Sequence, residues 1–209
     1  MIPSEPIDRS PGFAPEPGSS TLSRMTTNDT SSPTTVLRDE HQLILKVARR
    51  LDGMLADEIS SGSLDYDAVA QCITFFRLFA DACHHGKEEE YLFPGLEAEG
   101  MPRDSGPIAV MLYEHDLGRA FVRSMASSID ASKDGDAEQG NELREAARGF
   151  IDLIVAHISK EDNVLFNMAD GMISGSACQT LCARYDEVCA RRFEGRSKED
   201  LEALAAQIL

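Results

Sequence analysis

The chain has 209 residues, of which 36 are acidic and 20 are basic, so its formal net charge at pH 7 is −16 (20 − 36). Such a surface repels phosphate backbones and anionic lipid headgroups, so no nucleic acid and no membrane is expected as a partner. No apolar run approaches the roughly 20 residues that span a bilayer, and the N-terminus lacks the pattern of a secretory signal. The five cysteines, an odd number, fit reduced thiols, and we therefore predict a soluble cytoplasmic protein.

The sequence divides into a tail, a long middle part and a C-terminal part. Residues 1–33 are rich in proline, serine and threonine and contain few large apolar residues, so they bury too little surface to offset the entropy of ordering. We predict a disordered N-terminal tail over residues 1–33, a helical bundle over residues 34–171 and a C-terminal helical extension over residues 172–209.

Apolar residues recur at helical spacing through the middle part and predict four helices. Their approximate ranges are 36–59, 65–99, 107–129 and 140–169. Strand patterns are missing, so the predicted fold is all-α, an antiparallel up-down four-helix bundle. Two further helices are predicted over about 176–193 and 197–209. They are expected either to pack on the end or flank of the bundle or to form a surface for a protein partner.

Two stretches of the middle part match each other at a constant offset. Residues 84–93 read HHGKEEEYLF and residues 157–166 read HISKEDNVLF, with His, Lys, Glu, Leu and Phe at corresponding positions. Each stretch has a histidine and a glutamate four residues apart, which places both side chains on one face of a helix. These residues are His84, Glu88, His157 and Glu161.

A histidine preceded by a glutamate lies upstream of each stretch, at His41 and His115. The two halves therefore look like duplicated helical hairpins, and in such a bundle both upstream histidines can face the His-x-x-x-Glu pairs. Burying four histidines and two glutamates together without a metal ion would be very costly. The pattern predicts a site for two metal ions, and imidazole with carboxylate suits iron, zinc or manganese.

The order His, His-x-x-x-Glu, His, His-x-x-x-Glu on four helices resembles the hemerythrin-like (HHE cation-binding) family, in its bacterial-type branch. The similarity covers about residues 36–170. It implies a non-haem di-iron centre, in which two iron ions share oxo- or hydroxo- and carboxylate bridges. A mixed set of imidazoles and carboxylates that leaves positions open favours iron chemistry with oxygen, peroxide or nitric oxide, so a small diatomic molecule or peroxide is the expected ligand. The metal ligands that the resemblance implies are His41, His84, Glu88, His115, His157 and Glu161.

The sequence departs from the invertebrate oxygen carriers of this family in two places. Those proteins have a second histidine four residues along the third helix, where this chain has Arg119 after His115. They also use an aspartate five residues after the histidine of the fourth helix. Asp162 stands at that spacing, but the internal repeat favours Glu161. Reversible oxygen carriage is therefore not implied for this chain.

His85 breaks the repeat, because its counterpart in the second stretch is Ile158. We interpret His85 as a further metal ligand, a fifth imidazole that makes the two metal ions inequivalent. The alternative is an ordinary polar neighbour of the site.

Several other side chains near the pattern have two interpretations. Glu40, Glu89 and Glu114 either accept hydrogen bonds from imidazole N–H groups or are charges on helix surfaces. The repeated lysines, Lys87 and Lys160, are predicted to lay their stems over the bundle surface.

The cysteines fall into two sets. Cys178, Cys182 and Cys189 share one face of the fifth predicted helix, as a thiol switch or soft-metal site would require, but buried small apolar residues are the stronger interpretation. Cys72 and Cys83 are predicted to be core residues.

The predicted function is a di-iron centre that interacts with oxygen, peroxide or nitric oxide, in sensing, storage or detoxification. If the protein is an enzyme, peroxide decomposition of the catalase type or nitric oxide chemistry is expected. The alternative is an iron- or oxygen-responsive regulatory module without turnover, in which the C-terminal helices signal to a partner. A third hypothesis is a structural bundle with adventitious zinc.

Overall fold

The computed structural model describes Met1 and residues 32–209, so the tail predicted over residues 1–33 lies almost wholly outside the described residues. Within the described part the chain is all-α and contains no β-strand, which confirms the predicted fold class. None of its helices is long and apolar enough to cross a membrane.

Four long helices form the antiparallel bundle. Two of them, α1 and α3, are regular throughout, whereas α2 and α4 join α-helical and π-helical segments without a break. The helices are α1 (Thr35–Ser61), α2 (Tyr66–Phe75, Phe76–His85, Glu88–Leu92 and Phe93–Ala98), α3 (Gly106–Lys133) and α4 (Ala137–Lys160, Glu161–Leu165 and Phe166–Met172).

Local capping residues set the ends of these helices. The Asp136 carboxylate accepts hydrogen bonds from two N–H groups in the first turn of α4, so this helix begins at Ala137, slightly earlier than predicted. At the same end of the bundle, where Arg144 of α4 pairs with Glu58 of α1, α1 stops before Gly62, whose φ of +72° lies in the left-handed region and whose N–H donates to Glu58 O.

The two glutamates of the repeat each begin a π-helical turn, Glu88–Leu92 in α2 and Glu161–Leu165 in α4. In both, the residue after the turn donates its N–H to the glutamate carbonyl five residues earlier. The two turns stand 73 residues apart (161 − 88), the same offset as the sequence repeat. The repeat is therefore present in the structure as well as in the sequence. π-turns are rare and occur often at functional sites.

Two shorter helices follow the bundle, α5 (Gly175–Cys189) and α6 (Lys198–Ile208). The first ends before the predicted end at Phe193, because Phe193 and Arg196 exchange backbone hydrogen bonds of 2.8 and 3.1 Å across a tight turn. Gly195 in this turn has a φ of +84°. A side-chain and backbone capping box between Ser197 and Asp200 then starts α6.

The C-terminal helices add to the core of the bundle. The apolar face of α6 is buried in the same cluster as residues of α1 and α2, and α5 contributes to a second cluster around the ends of α2 and α4. The α6 residues are Leu201, Leu204, Ala205 and Ile208. Residues of the two C-terminal helices thus cover part of the four-helix bundle.

Candidate metal centre

All seven residues predicted as metal ligands lie together in the interior of the bundle. Every one of them is buried, with at most 6% of its surface exposed. They come from all four long helices, one each from α1 and α3, three from α2 and two from α4. The residues are His41, His84, His85, Glu88, His115, His157 and Glu161.

Four of these residues form what we call the first ligand group, His41, His84, Glu88 and Glu161. Each offers one nitrogen or oxygen atom, and these atoms lie within 4.8 Å of one another. His41 Nε2 is 3.1 Å from Glu161 Oε2, and His84 Nε2 is 3.5 Å from Glu88 Oε1. Two imidazoles and two carboxylates thus converge on one point.

The second ligand group consists of three imidazoles, His85, His115 and His157, whose nitrogens also lie within 4.8 Å of one another. The rings of His85 and His115 are stacked, with centroids 3.8 Å apart. Glu88 Oε2 is 3.5 Å from His115 Nε2, and Glu161 Oε2 is 3.3 Å from His157 Nε2. The two carboxylates therefore lie between the groups, and His85 makes the groups unequal.

Each of the five imidazoles has a carboxylate against its Nδ1 atom. An ionised carboxylate only accepts hydrogen bonds, so Nδ1 carries the proton and the Nε2 lone pair faces the cluster. The pairs are His41 with Asp162 (2.9 Å), His84 with Glu40 (3.0 Å), His85 with Asp81 (3.3 Å), His115 with Glu89 (2.7 Å) and His157 with Glu114 (3.0 Å).

These contacts resolve the two interpretations left open for the acidic neighbours. Glu40, Glu89 and Glu114 orient histidines instead of serving only as surface charges. Asp162 lies on the outer nitrogen of His41 and not inside the cluster. Asp81 was missed, although it stands four residues before His85 on the same helix, a spacing that brings two side chains together.

The inward-facing atoms of the cluster lack hydrogen-bond partners. Within residues 32–209, no partner is found for the Nε2 atoms of four of the five histidines or for any carboxylate oxygen of Glu88 and Glu161. Buried polar atoms are normally paired, and leaving them unpaired is costly. Eight such atoms in one place, all of them nitrogen or carboxylate oxygen, fit the donor set of a metal centre.

The charges of the site also call for a cation. Burial and the nearby Glu161 carboxylate raise the pKa of Glu88 well above its usual range. Burial also raises the pKa of Glu161, but the nearby imidazoles of His157 and His41 have the larger, opposite effect and lower this pKa to about 2. Burial lowers the pKa of His84 to about 3, so this imidazole is neutral at pH 7. Bound metal ions would supply positive charge that compensates the two buried carboxylates.

Aromatic rings cover both groups. Phe166 stacks on His41 with centroids 5.2 Å apart, and Phe93 stacks on His115 at 5.9 Å. The two phenylalanines correspond in the sequence repeat and both are fully buried. They keep water away from one side of each group.

Lys87 is buried, and the prediction that its stem covers the bundle surface was wrong. Its ammonium group donates to Glu40 at 2.6 Å, and Lys198 Nζ lies 2.9 Å from the same carboxylate oxygen. Lys198 begins α6, so a helix from the C-terminal part covers this site. Among residues 32–209, no helix covers its counterpart Lys160 in this way, and Lys160, which pairs with Glu114, is 43% exposed.

A cavity of about 220 Å³ between α2, α3 and α4 reaches the second ligand group. Most of its lining is apolar, including Phe76, Val122 and Phe150, and Gly118 leaves room on the α3 side. Arg119 also lines it and donates to Asp81 at 2.8 Å, the carboxylate that holds His85. The residue that stands where oxygen carriers have a histidine therefore helps to position the extra imidazole.

The fold and the site together define a metal-binding helical bundle. The hemerythrin HHE cation binding domain matches residues 32–169, and the chain therefore belongs to this family. The matched range includes both ligand groups and ends before α5.

Related chains occur in mycobacteria. The uncharacterized protein Rv1995 of Mycobacterium tuberculosis and the uncharacterized protein Mb2018 of Mycobacterium bovis are each 25% identical to this chain over 192 residues. The aligned part covers 87% of this chain and 71% of each relative. No solved structure matches the chain at the significance reached by these relatives.

Proposed function

We propose that the chain holds two iron ions in the two ligand groups and that the centre interacts with oxygen, peroxide or nitric oxide. The observation that supports this most is the set of buried inward-facing nitrogen and oxygen atoms, which form two groups joined by Glu88 and Glu161. Mixed imidazole and carboxylate ligands suit iron. Iron, when bound, supplies both Lewis acidity and one-electron redox chemistry.

The residues of the chain have distinct parts in this function. Glu88 and Glu161 bridge the groups, because each places oxygens near imidazoles of both. The carboxylates on Nδ1 keep each imidazole in one tautomer and orientation. The first group has two imidazoles and shares both carboxylates, whereas the second has three imidazoles, so the two metal ions have unequal surroundings.

The cavity supports a small ligand at the second group. Its volume of about 220 Å³ exceeds the roughly 30 Å³ share of one water molecule several times over. The apolar lining suits oxygen or nitric oxide, whereas the guanidinium of Arg119 at the same wall already donates to the carboxylates of Asp81, Asp116 and Glu89. The three imidazoles at its inner end are where such a ligand would meet the centre.

Loading chelator-treated protein with ferrous iron under anaerobic conditions tests this function. Oxygen, hydrogen peroxide or nitric oxide is then added while the absorption spectrum and the ligand concentration are followed. We expect a spectral change with at least one of the three, and sustained peroxide or nitric oxide loss identifies an enzyme. Unchanged spectra with all three in iron-loaded protein would refute the proposed function.

Blocking the cavity separates ligand access from metal binding. A Cβ at Gly118 would lie 3.6 Å from Leu153 and 3.9 Å from Phe150, which are ordinary contacts, and because Gly118 lines the cavity we expect the rest of the side chain in Gly118→Leu to occupy part of it. The iron content should be unchanged, and ligand binding should slow about tenfold or more, equivalent to about 1.4 kcal/mol in the barrier to ligand access. Stopped-flow absorption measures the rate.

Gly53→Leu is the matched control, because Gly53 lies on α1 and does not line this cavity. A Cβ added at Gly53 would have no atom within 4 Å, so the larger side chain has room. This variant should bind ligand at the wild-type rate. Equal rates in Gly118→Leu and wild type would show that ligands reach the centre by another route.

A regulatory module is the second candidate function, and one contact favours it. Glu40 orients His84 and also binds Lys198 of α6, so the C-terminal helices touch a carboxylate that holds the centre. In this case metal removal should expose or unfold residues 172–209, measured by hydrogen exchange, while steady turnover is absent. Unchanged exchange of α5 and α6 after metal removal would exclude this candidate.

A further inference from the structure

Two thiols from distant parts of the chain meet beside Glu40. Cys83 lies on α2 and is fully buried, whereas Cys189 is the last residue of α5 and is only partly buried. Their Sγ atoms and a Glu40 oxygen all lie within 4.8 Å of one another. The two cysteines are 106 residues apart (189 − 83), so only the fold brings them together.

Positive charge surrounds this thiol pair. Lys87 Nζ is 3.4 Å from Cys83 Sγ, and both Lys87 and Lys198 bind Glu40, at 2.6 and 2.9 Å. Two ammonium groups oppose the binding of a metal cation, although two thiols and a carboxylate would otherwise suit one. The same charges favour a thiolate, which is the reactive form of cysteine.

Of the two sulfurs, Cys189 is the better nucleophile. A hydrogen bond from Cys83, with Lys87 and Lys198 nearby, lowers the pKa of Cys189 to about 6. By contrast, burial raises the pKa of Cys182, another partly buried thiol on α5, to about 11. Partial exposure also gives a small oxidant access to Cys189.

We propose that Cys189 and Cys83 form a thiol pair that hydrogen peroxide oxidises to a disulfide, which fastens the end of α5 to α2. The Cys189 thiolate attacks one peroxide oxygen, the O–O bond breaks, and the departing hydroxide takes up a proton to become water, leaving a sulfenic acid. Cys83 sulfur then attacks the Cys189 sulfur, the S–O bond breaks, and hydroxide leaves with the Cys83 proton as a second water. Two thiols lose two electrons and one peroxide becomes two waters.

The disulfide would alter the surroundings of the first ligand group. Lys87 and Lys198 lose the Cys189 thiolate as a neighbour, and Glu40, which both lysines bind, accepts the Nδ1 proton of His84. The oxidation state of the pair is therefore linked to a histidine of the centre through one carboxylate. The thiol reaction itself does not rest on the proposed function, because peroxide oxidises the pair without iron.

The test counts and maps thiols in the full chain, as purified and after chelator treatment, with and without added hydrogen peroxide. Alkylation after denaturation should label five cysteines before peroxide and three afterwards (5 − 2), with a peptide that joins Cys83 to Cys189. The chain as purified and the chelator-treated chain should both give this result. If the chain held no iron, the proposed function would be refuted, but the proposal of a Cys83–Cys189 disulfide would still stand. Five labelled thiols after peroxide, or a different cross-link, would overturn the proposal.

Two variants and a control sharpen this result. Cys189→Ser should keep all its remaining thiols after peroxide, and Cys83→Ala should leave a sulfenic acid on Cys189 that a dione reagent labels. Cys182→Ser, on the same helix and also partly buried, should form the disulfide as wild type does. Because mapping of the wild-type chain needs no variant, the proposal is testable even if Cys83→Ala does not fold. A disulfide between other cysteines that still forms after peroxide in Cys189→Ser would contradict the proposal.

Discussion

Replacing Glu161 with alanine is expected to reduce bound iron from two ions per chain to one or none. Glu161 Oε2 lies 3.1 Å from His41 Nε2 and 3.3 Å from His157 Nε2, so its carboxylate serves both ligand groups. Among the seven ligands in the described part of the chain, Glu88 would then be the only remaining carboxylate. Metal analysis after desalting, with the visible absorption spectrum, measures the effect.

Glu145→Ala provides the control for this prediction, because Glu145 lies on the exposed face of the same helix, α4. It should retain both iron ions. Glu88→Ala, at the corresponding position of the repeat, should lose iron as Glu161→Ala does. If Glu161→Ala binds as much iron as Glu145→Ala, the assignment of Glu161 as a ligand is wrong.

The second large effect is expected on stability, in Glu40→Ala. This carboxylate is 4% exposed and compensates the charge of Lys87, which is fully buried. Removing one partner of a buried ion pair costs about 3–5 kcal/mol, because the other charge stays buried and unpaired. Urea unfolding of metal-free protein measures the free energy of unfolding without a contribution from metal binding.

The internal repeat supplies a matched control. Glu114→Ala removes the corresponding carboxylate, but its partner Lys160 is 43% exposed and water can solvate it. We expect a loss of about 1 kcal/mol or less, as for exposed pairs. The double variant Glu40→Ala/Lys87→Met should recover much of the lost stability. Equal losses in Glu40→Ala and Glu114→Ala, without recovery in the double variant, would show that burial of Lys87 is unimportant.

Local sequence patterns predicted the helices and the cluster well. Period-3.6 apolar spacing identified four long helices, and the four-residue spacing of His84 with Glu88 and of His157 with Glu161 placed these pairs on inward faces. These features depend on neighbours a turn away, which a sequence shows directly. The π-turns at both glutamates were not predicted, because no composition signal distinguishes them from ordinary α-turns.

Features that depend on distant segments were missed. From its own helix Lys87 is predicted to lie on the surface, but the fold buries it beside Glu40 of α1, which Lys198 of α6 also binds. Cys83 and Cys189 likewise looked like core residues of separate helices, since nothing local indicates that their sulfurs meet. The inward-facing ligands could therefore be predicted from the repeat, whereas the charges and thiols around them required the fold.

The most direct test of the central claim is the metal content of the full chain purified from iron-supplemented cells, measured together with its visible spectrum in air. We predict about two iron ions per chain and an absorption band of oxo-bridged ferric iron. Zinc alone, or no metal, would contradict the di-iron assignment, and the absence of any metal would also leave the buried histidines and glutamates without an explanation.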